Sequence, residues 1–225
     1  MTERELVVTI DGPAGAGKST LARLLAERLG YRLIDTGAMY RAVAWSVREA
    51  GLAAEDTPAL RRHLAEVGVT LEGERVMVNR HDVTREIRSR EISELTSRLT
   101  TLAVVRETIT PLQRALARRG GVVLEGRDTG TVVCPEAEVK FYLDASIDER
   151  ARRRHRELEE GGSAVAFEVL RGEIRARDAQ DTTRALAPLR RPAGAIDIDT
   201  SDLSVEEVLE RMVEAVERRR CCTRS

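Results

Sequence analysis

The apolar positions of the chain alternate between short continuous runs and longer stretches with helical spacing. The stretches between the runs repeat apolar residues at intervals of three and four, which predicts amphipathic helices. Buried strands separated by helices are typical of a parallel sheet with helices on both faces. We therefore predict a five-stranded parallel α/β domain that spans residues 1–225. The runs that predict its strands lie at residues 6–10, 32–34, 122–124, 139–143 and 195–198.

Local signals mark where several of the predicted helices begin and end. The first helix is expected over residues 19–29, because Gly30 is a good residue to follow a helix. The tetrapeptides at 146–149 and 204–207 both have the Ser-x-x-Glu form of a capping box, which predicts helices that start there. A long helix is expected over residues 104–119, and helix is also expected from about Arg85.

One segment departs from the α/β pattern. Residues 69–71 and 76–78 alternate between apolar and polar side chains on either side of Glu72-Gly73-Glu74. This arrangement is typical of a hairpin. The sequence therefore predicts a small antiparallel β insertion in a chain that otherwise alternates strand and helix.

The first apolar run leads directly into a glycine-rich loop and then into a helix. Residues 12–19 fit G-x-x-x-x-G-K-[ST], the phosphate-binding P-loop, in the strand–loop–helix context that this motif requires. Backbone N–H groups of such a loop converge on an anion, and glycines let the backbone approach it. Lys18 would reach the β- and γ-phosphates, and the Ser19 hydroxyl would bind Mg²⁺. The expected ATP-binding residues are Gly12, Pro13, Ala14, Gly15, Ala16, Gly17, Lys18, Ser19 and Thr20.

Composition and charge narrow the classes of function. The chain has 37 Lys plus Arg and a net charge of −1, which argues against a general binder of nucleic acid or membrane surfaces. Only two of the cations are lysines, Lys18 and Lys140. A lysine in the P-loop of a chain that otherwise prefers arginine indicates that the compact ammonium group is needed at this position. Three cysteines give no disulfide framework, and no run is apolar enough to span a bilayer, so we expect a cytoplasmic protein without a signal peptide.

Polar residues follow the later predicted strands, and some have two interpretations. Asp144 is placed as a Walker B aspartate would be, but it also adjoins the capping box at 146–149. Arginines 150–156 could form a mobile lid over phosphates or a solvated helix face. The charged stretch 177–184 could bind a ligand or simply be an exposed helix end.

Two other classes of protein share single features with this sequence. Asp35-Thr36-Gly37 and Asp128-Thr129-Gly130 resemble the paired triplets of aspartic proteases, but those enzymes are β-rich and have no P-loop. A regulatory NTPase is the second alternative, although neither an N-K-x-D nor an L-S-G-G-Q motif is present.

Several longer stretches together resemble the bacterial cytidylate kinases, the CMP/dCMP kinases, along almost the whole chain. The G-R-D-x-G-T-V-V and D-[ST]-G-A-x-Y-R patterns are more specific than the P-loop. The matching stretches are residues 10–19, 35–41, 126–133, 141–146, and 177–188 through Arg177-Asp178, Asp181, Arg184 and Pro188.

The resemblance implies a P-loop kinase that transfers the γ-phosphoryl group of ATP to CMP or dCMP with Mg²⁺. It implies a nucleoside-monophosphate-binding insertion at 62–96 and a helical lid at 145–165, in which Gly161-Gly162-Ser163 is expected to break the helix. We also expect a monomer. Thr36 and Tyr40 would line the acceptor site, and Ser97, Arg106 and Asp128 would face the cytosine. The residues expected at the pentose are Arg177 and Asp181, those near phosphates are Arg41, Arg127 and Arg184, and those expected to be catalytic are Lys18, Arg127 and Arg184.

Overall fold

The computed structural model describes residues 5–160, 162 and 165–223. Its strands are β1 (Val7–Asp11), β2 (Arg32–Asp35), β3 (Val69–Glu72), β4 (Arg75–Val78), β5 (His81–Asp82), β6 (Val122–Gly126), β7 (Val139–Asp144) and β8 (Ile196–Asp199). Its α-helices are α1 (Lys18–Leu29), α2 (Thr36–Glu49), α3 (Pro58–Glu66), α4 (Arg90–Leu99), α5 (Ala103–Ala117), α6 (Ile147–Glu160), α7 (Phe167–Thr183) and α8 (Val205–Thr223). The predicted helix break at Gly161 and Ser163 lies outside the described residues.

The chain divides into two compact units, and the larger contains the central parallel sheet. This unit comprises Met1–Leu33 and Arg119–Ser225, and the other is Ile34–Arg118. The strand order of the sheet is β2-β6-β1-β7-β8, which confirms the predicted five strands. Val8 in the central strand lies opposite Val123 of β6 and Val139 of β7, so its neighbours on both sides are apolar.

The core of the larger unit explains why its strands read as continuous apolar runs. Side chains of α1, α8 and the strands form one buried cluster. Burial of each large apolar side chain contributes roughly 1.5–3 kcal/mol. The fully buried members include Val8, Ile10, Leu25, Phe141, Leu143, Met212 and Val216. Because the strands are parallel, their carboxyl ends meet at one edge of the sheet, where ligands bind in such folds.

The unit Ile34–Arg118 contains the predicted hairpin and four helices. Val69 pairs with Val78 and Leu71 with Val76 in an antiparallel register, which confirms the hairpin. A third strand, β5, adds to β4 and is only two residues long. The sequence did not indicate β5, because a two-residue strand is too short to show alternation.

Some helix boundaries differ from the prediction. The helix expected from about Arg85 is a 3₁₀ turn at Glu86–Arg88 followed by α4, and Ser89 caps α4 by accepting the N–H of Ile92 at 3.3 Å. At the second capping box, Ser204 and Glu207 exchange side-chain and backbone hydrogen bonds, as predicted.

Within the described residues, every helix is too short or too polar to cross a lipid bilayer.

Candidate active site

The P-loop follows β1 and approaches β7 closely. Gly12 has a φ of 150°, and a Cβ atom there would lie 1.9 Å from the carbonyl oxygen of Leu143. Any side chain at this position would therefore collide with the backbone of β7. Gly17, with a φ of 85°, precedes α1, so the first turn of that helix contains Lys18, Ser19 and Thr20. The expected loop residues thus lie on one strand–turn–helix connection.

Lys18 is buried in the loop, with only 6% of the residue exposed. Its Nζ donates to the carbonyl oxygen of Pro13 at 2.6 Å. Burial of the ammonium lowers the pKa of Lys18 well below its usual value of 10.5, and the positive charge of Arg127 lowers it further. Arg177 acts in the same direction, whereas the carboxylates of Glu125 and Asp11 oppose it. Cations gathered around a buried ammonium favour the arrival of a polyanion.

The Ser19 hydroxyl donates to the Glu125 carboxylate at 2.8 Å. Glu125 is the fourth residue of β6 and is 5% exposed. Asp144, in contrast, accepts the N–H of Ala145 at 2.8 Å at the end of β7. This bond favours the interpretation of Asp144 as part of the entry to α6. The carboxylate beside Ser19, where a Walker B aspartate is expected, is that of Glu125.

Four of the predicted site residues form one charged network in the larger unit. Arg127 follows β6, and its Nε donates to Oδ2 of Asp181 on α7 at 2.9 Å. Arg184, directly after α7, lies 3.5 Å from Asp181 and 3.8 Å from Asp128. The side chains of Arg184 and Asp128 are each 7% exposed. These alternating charges hold each other in place in a largely buried setting.

The loop that carries Arg127 and Asp128 is held by Asp11, the last residue of β1. The Asp11 carboxylate accepts the N–H and the hydroxyl of Thr129, at 2.8 and 2.9 Å, and the N–H of Gly130, at 2.7 Å. Asp11 is fully buried, and this burial raises its pKa above the usual 3.8 against the opposing effect of the hydrogen bonds. One carboxylate therefore joins the start of the P-loop to the predicted base-reading loop.

The remaining predicted residues lie in the unit Ile34–Arg118. Thr36 begins α2 and is 4% exposed. The guanidinium carbon of Arg106, on α5, lies 5.5 Å from the centre of the Tyr40 ring, a cation–π distance. Arg41 pairs with Asp35 at 3.0 Å. Ser97 is half-buried on α4. Within this unit the structure thus brings Tyr40 and Arg106 into contact.

The two D-T-G triplets do not behave as a protease pair. Asp35 caps α2 by accepting the N–H of Ala38 at 2.7 Å and forms an ion pair with Arg41. Asp128 lies beside Arg184. Each carboxylate has its own arginine, whereas the aspartic-protease pair shares one proton between two carboxylates.

Comparison with known proteins decides the family. The cytidylate kinase family model matches residues 8–218. The chain belongs to the cytidylate kinase family. A cytidylate kinase from Geobacter sulfurreducens is 49% identical over 224 residues, which cover 98% of this chain and 96% of that protein. One from Carboxydothermus hydrogenoformans is 47% identical over 216 residues, covering 94% and 97%.

Solved structures that resemble this one agree on the fold. A shikimate kinase from Bacteroides thetaiotaomicron aligns with a TM-score of 0.51 and 15% identity, over 94% of this chain and 98% of that one. TT1252 from Thermus thermophilus aligns with a TM-score of 0.50 and 21% identity, over 96% and 98%. At these identities the likeness shows the shared fold alone.

Two residues of this cytidylate kinase family member were not predicted as part of the site. Asp11 ends β1 and Glu125 is the last residue but one of β6, so both lie at the ligand edge of the sheet. That position is their signal in the sequence, together with the family resemblance over residues 10–19 in the case of Asp11. The signal is weak, because a strand-end carboxylate is as often a turn residue, as Asp144 is here.

Proposed function

We propose that this protein transfers the γ-phosphoryl group of ATP to the 5′-phosphate of CMP or dCMP. The observation that carries the proposal is the buried Lys18 ammonium in a P-loop, close to Arg127 and Arg177, in a chain of the cytidylate kinase family. Such a reaction asks for little covalent chemistry from the protein. It needs two polyanions aligned and charge neutralised as it spreads over the transferred group.

The P-loop supplies the donor side of this mechanism. Its backbone N–H groups and the N-terminus of α1 would bind the β- and γ-phosphates of ATP, and Lys18 would neutralise them. Arg127 and Arg184 are held by Asp181, so their guanidinium groups are fixed in orientation before substrate arrives. Preorganised cations of this kind stabilise the charge of the transition state without rearranging during the reaction.

We propose that Mg²⁺ binds at Ser19. The Ser19 hydroxyl and the Glu125 carboxylate supply oxygen atoms 2.8 Å apart, which is the donor type that this hard cation prefers. No group of three or more metal-binding side chains occurs in the part of the chain that the structure describes. This fits an ion held by one or two protein oxygens, by phosphates and by water. Bound Mg²⁺ would neutralise the phosphate oxygens.

The acceptor roles expected from the family resemblance remain proposals. Tyr40 and Thr36 would line the acceptor site, and Arg41 would meet a phosphate. Arg106, stacked on Tyr40, and Ser97 would face the cytosine. In the larger unit, Asp128 would also read the base, and Arg177 and Asp181 would hold the pentose. The cation–π contact between Arg106 and Tyr40 and the ion pairs of Arg184 with Asp181 and Asp128 support these proposals.

Two segments are proposed to act around the reaction. We assign residues 62–96 to binding of the nucleoside monophosphate, because the hairpin β3–β4 falls within this segment. We assign residues 145–165 to a lid, which contains α6 with its exposed arginines at 152, 154 and 156. Closure of a lid would exclude water, which competes with CMP as the phosphoryl acceptor.

The test is a panel of nucleoside monophosphates assayed with ATP and Mg²⁺ for diphosphate product. CMP and dCMP should be the best acceptors. Lys18→Ala should nearly abolish turnover while its circular dichroism spectrum stays unchanged. Lys18→Arg should also lose turnover, because the planar guanidinium group of arginine does not replace the compact ammonium of lysine. ATP consumption that is independent of any monophosphate would instead support the regulatory NTPase alternative.

We also propose that the enzyme acts as a monomer, which light scattering in solution tests directly. Its proposed substrates, ATP and CMP, are nucleotides of the cytoplasm, so we expect it to act there.

A further inference from the structure

Two carbonyl groups of the P-loop, those of Ala14 and Ala16, accept hydrogen bonds from side chains outside the loop. The carbonyl oxygen of Ala14 accepts from Nη1 of Arg150 at 3.1 Å. The carbonyl oxygen of Ala16 lies 3.3 Å from the hydroxyl of Thr200, which also accepts from Nη1 of Arg153 at 3.0 Å. Two arginines of the proposed lid segment, Arg150 and Arg153, therefore reach the back of the loop, either directly or through Thr200.

Arg150 makes the more extensive of these contacts. Its side chain is 5% exposed, and its Nε donates to the carbonyl oxygen of Ala145 at 2.9 Å. Nη1 also pairs with Oδ2 of Asp178, on α7, at 2.7 Å. A Cβ atom on Gly15 would lie 3.0 Å from Cβ of Arg150, so α6 packs directly against the loop. A guanidinium buried with three fixed acceptors cannot easily leave them for a phosphate.

The contact with Ala14 has a consequence for the next residue. In a trans peptide the C=O and the following N–H point in opposite directions. Fixing the carbonyl of Ala14 towards Arg150 therefore fixes the N–H of Gly15 on the opposite side of the peptide. In a P-loop the backbone N–H groups are the groups that bind the phosphates.

We propose that Arg150 is a positioning residue that orients the Ala14–Gly15 peptide of the P-loop for ATP, and that Asp178 couples this orientation to α7. The proposal rests on the proposed function for its ligand, ATP. It separates Arg150 from the exposed lid arginines. Arg150 acts on ATP through the loop, whereas an arginine that meets the transferred phosphoryl group would act on turnover.

The experiment measures two binding steps in three variants. Arg150→Met keeps the length of the side chain and removes every donor, and Arg150→Lys keeps the charge and part of the donor set. Arg171→Met is the matched control, because Arg171 on α7 pairs with Asp148 of α6 at 2.7 Å. The readouts are the Kd of a non-hydrolysable ATP analogue, measured by calorimetry without CMP, and the KM for CMP at saturating ATP.

We expect Arg150→Met to raise the Kd of the ATP analogue about tenfold or more, the loss typical of a hydrogen bond from a charged group. Arg150→Lys should recover part of that loss, and Arg171→Met should stay within about twofold of the wild type. The KM for CMP should stay within about twofold in all three. If Arg150→Met fails to fold, Arg150→Lys alone decides, with a rise in Kd of about threefold or more expected.

Three results would overturn the proposal. An unchanged Kd in the Arg150 variants would show that the loop does not need this arginine. An equal loss in Arg171→Met would show that any α6–α7 ion pair serves as well. A fall in kcat without a change in the Kd would place Arg150 at the transferred phosphoryl group. A wild-type enzyme that binds the ATP analogue but does not phosphorylate CMP would refute the proposed function and leave this test intact.

Discussion

Lys18 shows how a single side chain gives the P-loop its chemistry. Its ammonium is buried beside two arginines and two carboxylates, and the net result is a pKa well below 10.5. A charge that is costly in the free enzyme becomes favourable once a polyphosphate lies beside it. Binding of ATP should therefore raise the pKa of Lys18 and be accompanied by proton uptake.

This gives a pH prediction with a definite sign. Between the lowered pKa of free Lys18 and the higher pKa of the complex, ATP binding takes up a proton, so affinity falls as pH rises. We expect the affinity for an ATP analogue to decline as the pH rises from the lowered pKa of free Lys18 towards 10.5. Calorimetry in buffers of different ionisation enthalpy measures the uptake. Lys18→Ala should lose both the proton uptake and this part of the pH dependence, and a variant that retains them would assign the proton to another group.

Base choice is predicted to depend on Asp128. Cytosine presents an amino donor at position 4, where uracil presents an oxygen acceptor, and an ionised carboxylate only accepts. A buried mismatch of this kind costs about 1–3 kcal/mol, or roughly 5- to 150-fold. We expect Asp128→Ala to lower kcat/KM for CMP far more than for UMP. Asp128→Asn, which can donate to the uracil oxygen, should narrow the gap further.

The ratio of kcat/KM for CMP to that for UMP in the wild type and both variants is the measurement. Asp128 lies 3.8 Å from Arg184, so its loss will also disturb that arginine. Such a disturbance affects both nucleotides alike and cancels in the ratio. An unchanged ratio would mean that Asp128 serves a phosphate or the fold, and that the base is read elsewhere.

At the scale of elements, the connection between β1 and the loop after β6 depends on Asp11. Asp11→Asn keeps the shape of the side chain but replaces one carboxylate oxygen by an NH₂ group. That NH₂ donor then faces a backbone N–H whose hydrogen bond the carboxylate accepts in the wild type. A buried donor left without an acceptor costs about 1–3 kcal/mol. We expect a loss of stability of that size in urea unfolding, with a lower kcat/KM for CMP because Arg127 and Asp128 lie on this loop.

Asp199→Asn is the control for the Asp11 prediction. Asp199 also ends a strand and accepts a loop N–H, from Ser201 at 2.9 Å, but it is exposed to water. Its replacement should cost less stability and leave CMP turnover unchanged. Equal losses in the two variants would show that Asp11 is an ordinary turn residue.

The sequence predicted elements well where periodicity and capping act locally. The central strands, the hairpin and the box at Ser204 follow from patterns within a few residues. At the first box Ser146 Oγ accepts the N–H of Glu149 at 3.2 Å and α6 begins at Ile147, as predicted. The reciprocal bond of the box differs, because the Ser146 N–H donates to Ser201 at 2.9 Å. That contact joins residues 55 positions apart, and a local sequence pattern does not contain it.

In the candidate site, too, local motifs were predictable from the sequence and contacts between distant residues were not. The P-loop residues are adjacent in the chain, so their motif is visible. The pairing of Ser19 with Glu125 spans 106 residues, and that of Arg150 with Ala14 spans 136. Such contacts depend on how the strands are ordered in the sheet. The sequence placed Arg150 in a lid, and only the structure shows its guanidinium behind the P-loop.

At the scale of the whole molecule, ligand binding should increase the thermal stability of the folded protein. A ligand that binds only the folded state at 100 times its Kd stabilises it by about 2.7 kcal/mol. For a chain of this length, 1 kcal/mol shifts Tm by roughly 2–4 °C, so we expect a rise of about 5–10 °C. The ATP analogue and CMP should each raise the Tm of the wild type, as measured by differential scanning calorimetry.

The variants Lys18→Ala and Asp128→Ala distinguish the binding site of ATP from that of CMP. Lys18→Ala should lose the rise in Tm caused by the ATP analogue and keep the rise caused by CMP, because Lys18 is proposed to meet only the donor phosphates. Asp128→Ala should show the reverse, since it removes a group proposed to read the acceptor base. The comparison uses each variant's own Tm without ligand as its baseline, so a general loss of stability does not imitate the effect. If Lys18→Ala also loses the response to CMP, the two ligands share one phosphate site around Lys18, and separate donor and acceptor sites would have to be abandoned.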